Sequence, residues 1–277
     1  MDKITVLVNS CDKYEDTWDP FFELLHIYGG DFSYPIVLNT ETKQYSSKWF
    51  QVRTVNTPKK CSWSKRLLHV LDQIDTEYIF FLLDDYFLEM PFDNDRFTRV
   101  IDYLDAHQEA GCCDIAPRYA ETPEAAIQIK QEYRDFEDCF VERSLPKYNI
   151  NCAPYVWRPA ILKKLLRKSE DVWEFEDNAG YRAKYAGIKV IRYYMHYPSI
   201  YEYNFRIWSG IGITRGQWLP GNKAFFERHG IHVNFERLGF LDLSSLKKSD
   251  RNNNLHSFLQ KARRVIKRDL YKKGILR

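Results

Sequence analysis

The stretch 79-IFFLLDDYFL-88 sets an uninterrupted apolar run against two adjacent carboxylates, Asp84 and Asp85. Ile79–Leu83 shows no polar residue and no alternation, the pattern of a strand covered on both faces. Taking one carboxylate out of water without a partner is costly, and two side by side also repel each other. At Asp84 the chain therefore either leaves the core for a solvated turn or has a cation waiting for the pair.

Outward from this stretch, the pattern alternates between strand and helix. Residues 4-ITVLVNS-10 form a buried strand that breaks into polar Cys11-Asp12-Lys13. Asp16 or Thr17 can cap a helix carrying Trp18, Phe21, Phe22, Leu25 and Tyr28 at helical spacing, stopped by Gly29-Gly30. Strands follow at 35–41 and 50–56, then a helix at 62–74 with Ser62 or Ser64 near its cap, then the strand at 77–88. This βα rhythm predicts a doubly wound, mostly parallel α/β sheet flanked by helices. In the second half the pattern predicts a helix at 93–107, a strand at 112–118, an extended segment at 147–159 and a helix at 160–168. Residues 171–187 read as a loop running into a helix that Gly187 ends, followed by a strand at 188–197. One domain is expected over residues 1–243, with a polar hinge and a basic helix over 244–277.

Composition narrows the class. The chain has 277 residues, 44% hydrophobic and 29% charged, which suits a globular protein with a sizeable core. The aromatic share is high at 16%, useful against sugar or base faces but equally at home in a core. Six cysteines show no CxxC pair, so reduced thiols are expected and structural zinc is not. Met1-Asp2-Lys3 leads directly into ITVLV without a secretory h-region, and a cytoplasmic protein is expected. Residues 247–277 carry 11 Lys and Arg against 2 Asp, a charge of +9 in a chain of +3, so the body is acidic at −6. Leu255, Phe258, Leu259, Ala262, Val265, Ile266 and Leu270 follow helical spacing among these cations. Such a helix either lies on an anionic membrane or packs its stripe on the body; nucleic acid is not expected.

In open α/β sheets, ligands bind at the carboxyl ends of the strands. That places the chemistry in the loops at Asn9–Tyr14, Asn39–Thr42, Asp84–Tyr86 and His196. A carboxylate pair at a strand end suits a hard cation, Mg²⁺ or Mn²⁺, which in turn binds a nucleotide diphosphate. Arg215 in 213-ITRGQWLPG-221 can clamp a diphosphate oxygen and Trp218 can stack on a sugar, or the string is a plain turn. Lys65 and Arg66, near a helix start, are further phosphate candidates.

Four short motifs together resemble the GT-A glycosyltransferases that build bacterial capsule or lipopolysaccharide. VLVNSCDKY resembles a uridine-binding loop, which would give donor contacts to Asn9, Ser10, Asp12 and Tyr14, with Glu41 from the neighbouring strand end. LLDDYF resembles the DxD metal site, although here it is DD followed by Tyr; Asp85 is the favoured ligand, with Asp84 beside it. EFEDNAGYRAKYAG resembles an ED motif before a helix ending in Arg-xxxx-Gly. In that group an acid at this place is the general base, which ranks Glu176 first, then Asp177, then Glu174. Asp177 or Asn178 could instead cap that helix, with Glu174 in its lead-in. His196, after KVIRYY, matches the position of a further metal ligand.

The resemblance implies a GT-A fold, an Mn²⁺ or Mg²⁺ cofactor, a UDP-linked sugar donor and a glycan or lipid-linked glycan acceptor, with inversion in one displacement. Two alternatives stand beside it. A sugar-phosphate nucleotidyltransferase would want a Gly-rich phosphate loop after the first strand, which Asn9-Ser10-Cys11-Asp12 does not supply. A non-catalytic glycan-binding or scaffold protein would have no need of acids at both 84–85 and 174–177.

Overall fold

Strands that read as continuous apolar runs become the covered middle of a sheet. In the computed structural model, which describes residues 3–57, 60–117, 138–143, 149–203, 212–243, 270 and 275, eight strands form one sheet. They are β1 (Ile4–Asn9), β2 (Ile36–Thr40), β3 (Val52–Asn56), β4 (Tyr78–Leu83), β5 (Ala110–Asp114), β6 (Cys139–Glu142), β7 (Tyr155–Trp157) and β8 (Lys189–Tyr194). Their order is β3-β2-β1-β4-β7-β5-β8-β6. β1 is parallel to β2 and β4, β2 to β3, and β5 to β8; β7 is antiparallel to both its neighbours, and β6 to β8. Six strands thus end at one edge of the sheet, and β6 and β7 begin there. The fold class is the expected one: α/β, Rossmann-like, mixed but mostly parallel, flanked by helices.

The helices are α1 (Trp18–Tyr28), α2 (Trp63–Leu71), α3 (Asn94–Ala106), α4 (Pro159–Leu165), α5 (Val172–Tyr185) and α6 (Gly221–Arg228). Each capped start follows from a short polar side chain that accepts an otherwise orphaned N–H. Ser62 accepts from Lys65 N–H, and Asp93 from Arg96 N–H. α1 differs. Its N-cap Thr17 makes no cap bond, and a 3₁₀ turn over Asp12–Thr17 precedes it.

Several boundaries moved. The strand expected over 77–88 stops at Leu83, and the two aspartates lie in the turn beyond it. The strand expected at 112–118 is β5, shifted toward the N-terminus, and the described residues of the extended segment 147–159 include β7. The helix expected at 160–168 is α4. α5 begins at Val172, earlier than expected, because Asp171 and Glu174 form a reciprocal capping box. A short hairpin, β9 (Ile213–Thr214) and β10 (Gln217–Trp218), completes the body. Arg215 and Gly216 take φ values of 53° and 81°, the left-handed pair that a tight two-residue hairpin turn requires. The predicted basic helix lies almost wholly outside the described residues. No helix among the described residues is long and apolar enough to cross a membrane.

Candidate active site at the carboxyl edge of the sheet

The sheet order reverses between β1 and β4: strands leave β1 toward β2 and β3 on one side, and β4 toward β7 and β5 on the other. A crevice outside the carboxyl ends of two such strands is the usual ligand site of an open α/β sheet. Register sets those ends level, with Asn9 opposite both Asn39 and Leu83. Asp84 and Asp85 follow Leu83 directly, at the crevice.

The two aspartates have different surroundings. Asp84 is buried, and its Oδ2 accepts from the Ser10 hydroxyl at 2.5 Å and the Thr17 hydroxyl at 2.8 Å. Trp18 Nε1 in turn donates to Ser10 Oγ at 2.7 Å, fixing that hydroxyl. Asp85 is partly exposed; its Oδ2 accepts from Ile213 N–H at 3.1 Å and its carbonyl from Gly212 N–H at 2.9 Å. Burial raises both carboxyl pKa values, the Asp84 charge raises that of Asp85 further, and the Ser10 and Thr17 donors only partly offset the rise on Asp84. A hard cation would relieve this, taking Asp85 together with water and diphosphate oxygens, as Mg²⁺ commonly does. The residues present therefore fit such an ion at Asp85, with Asp84 behind it.

His196 does not join them as a described metal cluster. Its backbone N–H donates to Asp138 and its carbonyl accepts from Arg96, beyond the end of β8. Among the described residues no three His, Cys, Asp or Glu side chains gather to hold a metal. In the sheet order three strands separate β8 from β1, and two separate it from β4.

The β1 and β2 ends form a fixed wall. Asp12 accepts from the backbone N–H groups of Glu41, Thr42 and Lys43 and from the Thr42 hydroxyl. Burial works against its charge, but the Thr42 hydroxyl and these N–H groups hold its pKa well below the ordinary range. Arg66 reaches the same wall, pairing with Glu41 at 2.6 Å and donating to the Ser10 carbonyl at 2.8 Å. Asn39 Nδ2 donates to Asn9 Oδ1 at 2.7 Å. Asp12, Glu41 and Arg66 thus lie together at this wall, tied to one another through the Glu41 carboxylate and backbone. Tyr14 is partly buried nearby, its phenol raised by burial and then by neighbouring negative charge that includes Asp85 and Asp84. Lys65 stays exposed in the first turn of α2.

The three candidate bases all lie within α5, not in a lead-in. Glu174 is buried and joins Asp171 in the capping box. Glu176 is partly buried, and its Oε1 accepts from Cys152 N–H at 2.7 Å. Since β7 begins at the carboxyl edge, Cys152, three residues before it, carries Glu176 to the edge that bears Asp85. Burial, followed by the Asp177 charge, raises the Glu176 pKa against the Cys152 N–H. Asp177 is partly buried, one residue on. The Arg-xxxx-Gly string has a structural role: Arg182 forms a buried fork with Glu170, next to the cap. Glu170 carbonyl also accepts from Ser64 N–H at 3.2 Å, tying the starts of α2 and α5 together.

The β9–β10 hairpin splits its two candidates. Arg215 is exposed at the turn, next to Gly216. Trp218 is fully buried, stacked on Phe87 at 6.0 Å and edge-on to Phe226 and Phe235, so no sugar can lie on it. Sequence reasoning missed Lys13, whose Nζ lies so close over Gly216 that a Cβ there would sit 2.1 Å from it. It also missed Thr17, which looks like a simple cap, and Asp114, buried at the end of β5 with Arg143 at 2.8 Å and Arg192 at 3.5 Å. Only pairing across the sheet reveals the last of these.

No family model matches the chain, and no curated protein matches it. Solved structures similar to it include "TarS 1-349" of S. aureus in complex with UDP, at 16% identity and a TM-score of 0.44, over 70% of this chain and 60% of that one. The mannosyltransferase PcManGT from Pyrobaculum calidifontis, in complex with GDP-Man and Mn²⁺, is similar at 11% identity and a TM-score of 0.44, over 72% and 55%. CMP:2-keto-3-deoxy-manno-octonic acid synthetase complexed with CTP is similar at 13% identity and a TM-score of 0.40, over 69% and 89%. The chain thus spans less than two thirds of the first two.

Proposed function

We propose that this protein is a nucleotide-sugar-dependent glycosyltransferase of the GT-A type. The observation that carries the reading is the placement of Asp84-Asp85 at the β1/β4 reversal, with Glu176 held at the same edge of the sheet. In this reading the donor diphosphate lies outside the ends of β1 and β4, with the cation at Asp85 and Arg215 on the hairpin beside it. The cation, when bound, supplies positive charge where the leaving diphosphate gathers negative charge. Ser10 and Thr17 hold Asp84, and the Asp12 staple keeps the β1–β2 wall in place for the nucleoside. Glu176 takes the proton of an acceptor hydroxyl as its oxygen attacks the anomeric carbon and the sugar–phosphate bond breaks. One such displacement inverts the anomeric configuration, and a raised carboxylate pKa suits the base.

A UDP-linked donor, a glycan or lipid-linked glycan acceptor, and a role in bacterial surface polysaccharide synthesis complete the proposal. The basic stripe of residues 255–277 supports peripheral contact with an anionic membrane. The test is calorimetric titration of UDP, GDP and dTDP, each with and without Mn²⁺, on the wild type and Asp85→Ala. Metal-dependent binding of one nucleotide, lost in the variant, is expected. No binding by the wild type under any condition would overturn the reading.

A further inference from the structure

The helix that carries Glu176 also carries an aromatic ring that the fold does not use. Trp173 is 61% exposed, the second residue of α5. The packing face of this helix lies elsewhere, through Phe175, Asn178, Ala179 and Arg182, with Phe175 against Trp63 at 5.4 Å. Among the described residues the Trp173 indole meets no other ring, and its N–H has no acceptor. Tryptophan is highly buried on average, so an indole this exposed on the helix of the candidate base is a candidate contact surface.

Position supplies one. Residues three and four apart on a helix share a face, with Cβ atoms about 5–6 Å apart. Trp173, Glu176 and Asp177 stand in that relation, so the exposed indole borders both acids. Their helix starts at the ligand-binding edge of the sheet, fixed to the start of α2 through Ser64 and Glu170 and to Cys152 through Glu176. A flat apolar ring beside two hydrogen-bond acceptors matches a pyranose, which has an apolar face of C–H groups and a rim of hydroxyls.

We infer that Trp173 is the platform of an acceptor-sugar subsite, in which a pyranose ring lies on the indole and turns a rim hydroxyl toward Glu176. This rests on the glycosyl-transfer reading and adds to it the class of group the acceptor presents and the residue that holds it. Trp173 is a binding residue here, and Glu176 keeps the chemistry.

The test uses the full chain labelled with 5-fluorotryptophan, whose Trp173 ¹⁹F resonance is assigned with Trp173→Phe. Methyl glycosides of glucose, galactose, mannose, N-acetylglucosamine and N-acetylgalactosamine are titrated, with and without UDP and Mn²⁺. A single ring held on one face is expected to bind with a Kd on the order of 1 mM. At least one glycoside should shift the Trp173 line saturably while the line of buried Trp218 stays in place, and Glu176→Gln should keep the shift. If UDP binds and no glycoside moves Trp173, the subsite falls and the transferase reading stands. If a glycoside moves Trp173 but no nucleotide binds, the subsite stands and the transferase reading falls. A Trp173 line that shifts with protein concentration and not with glycoside would make this face a contact between copies and overturn the proposal. For a transferase, Trp173→Ala should raise acceptor KM about tenfold or more with nucleotide affinity unchanged, as the loss of one stacked contact implies.

Discussion

Arg182 and Glu170 meet in a fork of two hydrogen bonds, each 2.8 Å, with both side chains almost completely buried. Glu170 lies one residue before the Asp171 cap and Arg182 in the last turn of α5, so the pair ties the start of the helix to its far end. Removing one partner of a buried pair strands the other charge and costs about 3–5 kcal/mol. Glu170→Gln is expected to lose stability on that scale in urea unfolding. Arg182→Met with Glu170→Met should recover much of it, because an apolar pair of similar volume leaves no charge behind.

The Glu176 carboxyl gives opposite pH trends for stability and activity. Burial raises its folded pKa above the ordinary value, so its stabilising contribution is complete below the unfolded pKa and is lost as pH rises through the folded one. As a base it works only when unprotonated, so transfer should rise over that same interval. In Glu176→Gln both trends should vanish: the thermal midpoint should exceed that of the wild type increasingly as pH rises, and transfer should be nearly abolished at every pH. Scanning calorimetry at a series of pH values from the ordinary carboxylate range upward checks the first half.

Lys13 and Arg215 place two cations at the turn of the hairpin whose first strand is bonded to Asp85. The Lys13 ammonium touches the Tyr14 ring at 5.8 Å and has no carboxylate partner among the described residues. Lys13→Met and Arg215→Ala are each expected to weaken nucleoside diphosphate binding about tenfold, the value of one charge-assisted contact. Affinity for the nucleoside alone should stay unchanged, and calorimetry with UDP and uridine separates the two. Equal losses for both ligands would assign these residues to the nucleoside wall.

Much of the fold was legible because a buried parallel strand writes itself as an apolar run, and β1, β2 and β4 are such runs. The edge where chemistry should sit followed from the βα rhythm. The direction of β7 was not legible, since a three-residue strand carries no mark of which way it runs. The acids of α5 were harder still. Asp171, Glu174, Glu176 and Asp177 are alike as letters, and only the helix start decides which one caps, which is buried and which reaches Cys152. Arg66 and Glu41 each stand out as letters, but their attraction to one another was not legible, because their separation in sequence hides that the end of β2 and α2 bring them together. Trp218 looked like a sugar platform by type and turned out to be core, while Trp173 drew no attention because it sits inside a run of acids.

The hairpin hangs from Asp85 by two N–H groups, Gly212 donating to its carbonyl and Ile213 to its carboxylate. Whatever draws that carboxylate toward a cation must therefore pull on the hairpin's first strand, and Arg215 rides at its tip. On the proposed reading, the state of one side chain and the pose of a cationic finger are geared together, so an ion at Asp85 would tighten the grip on a diphosphate without any separate moving part.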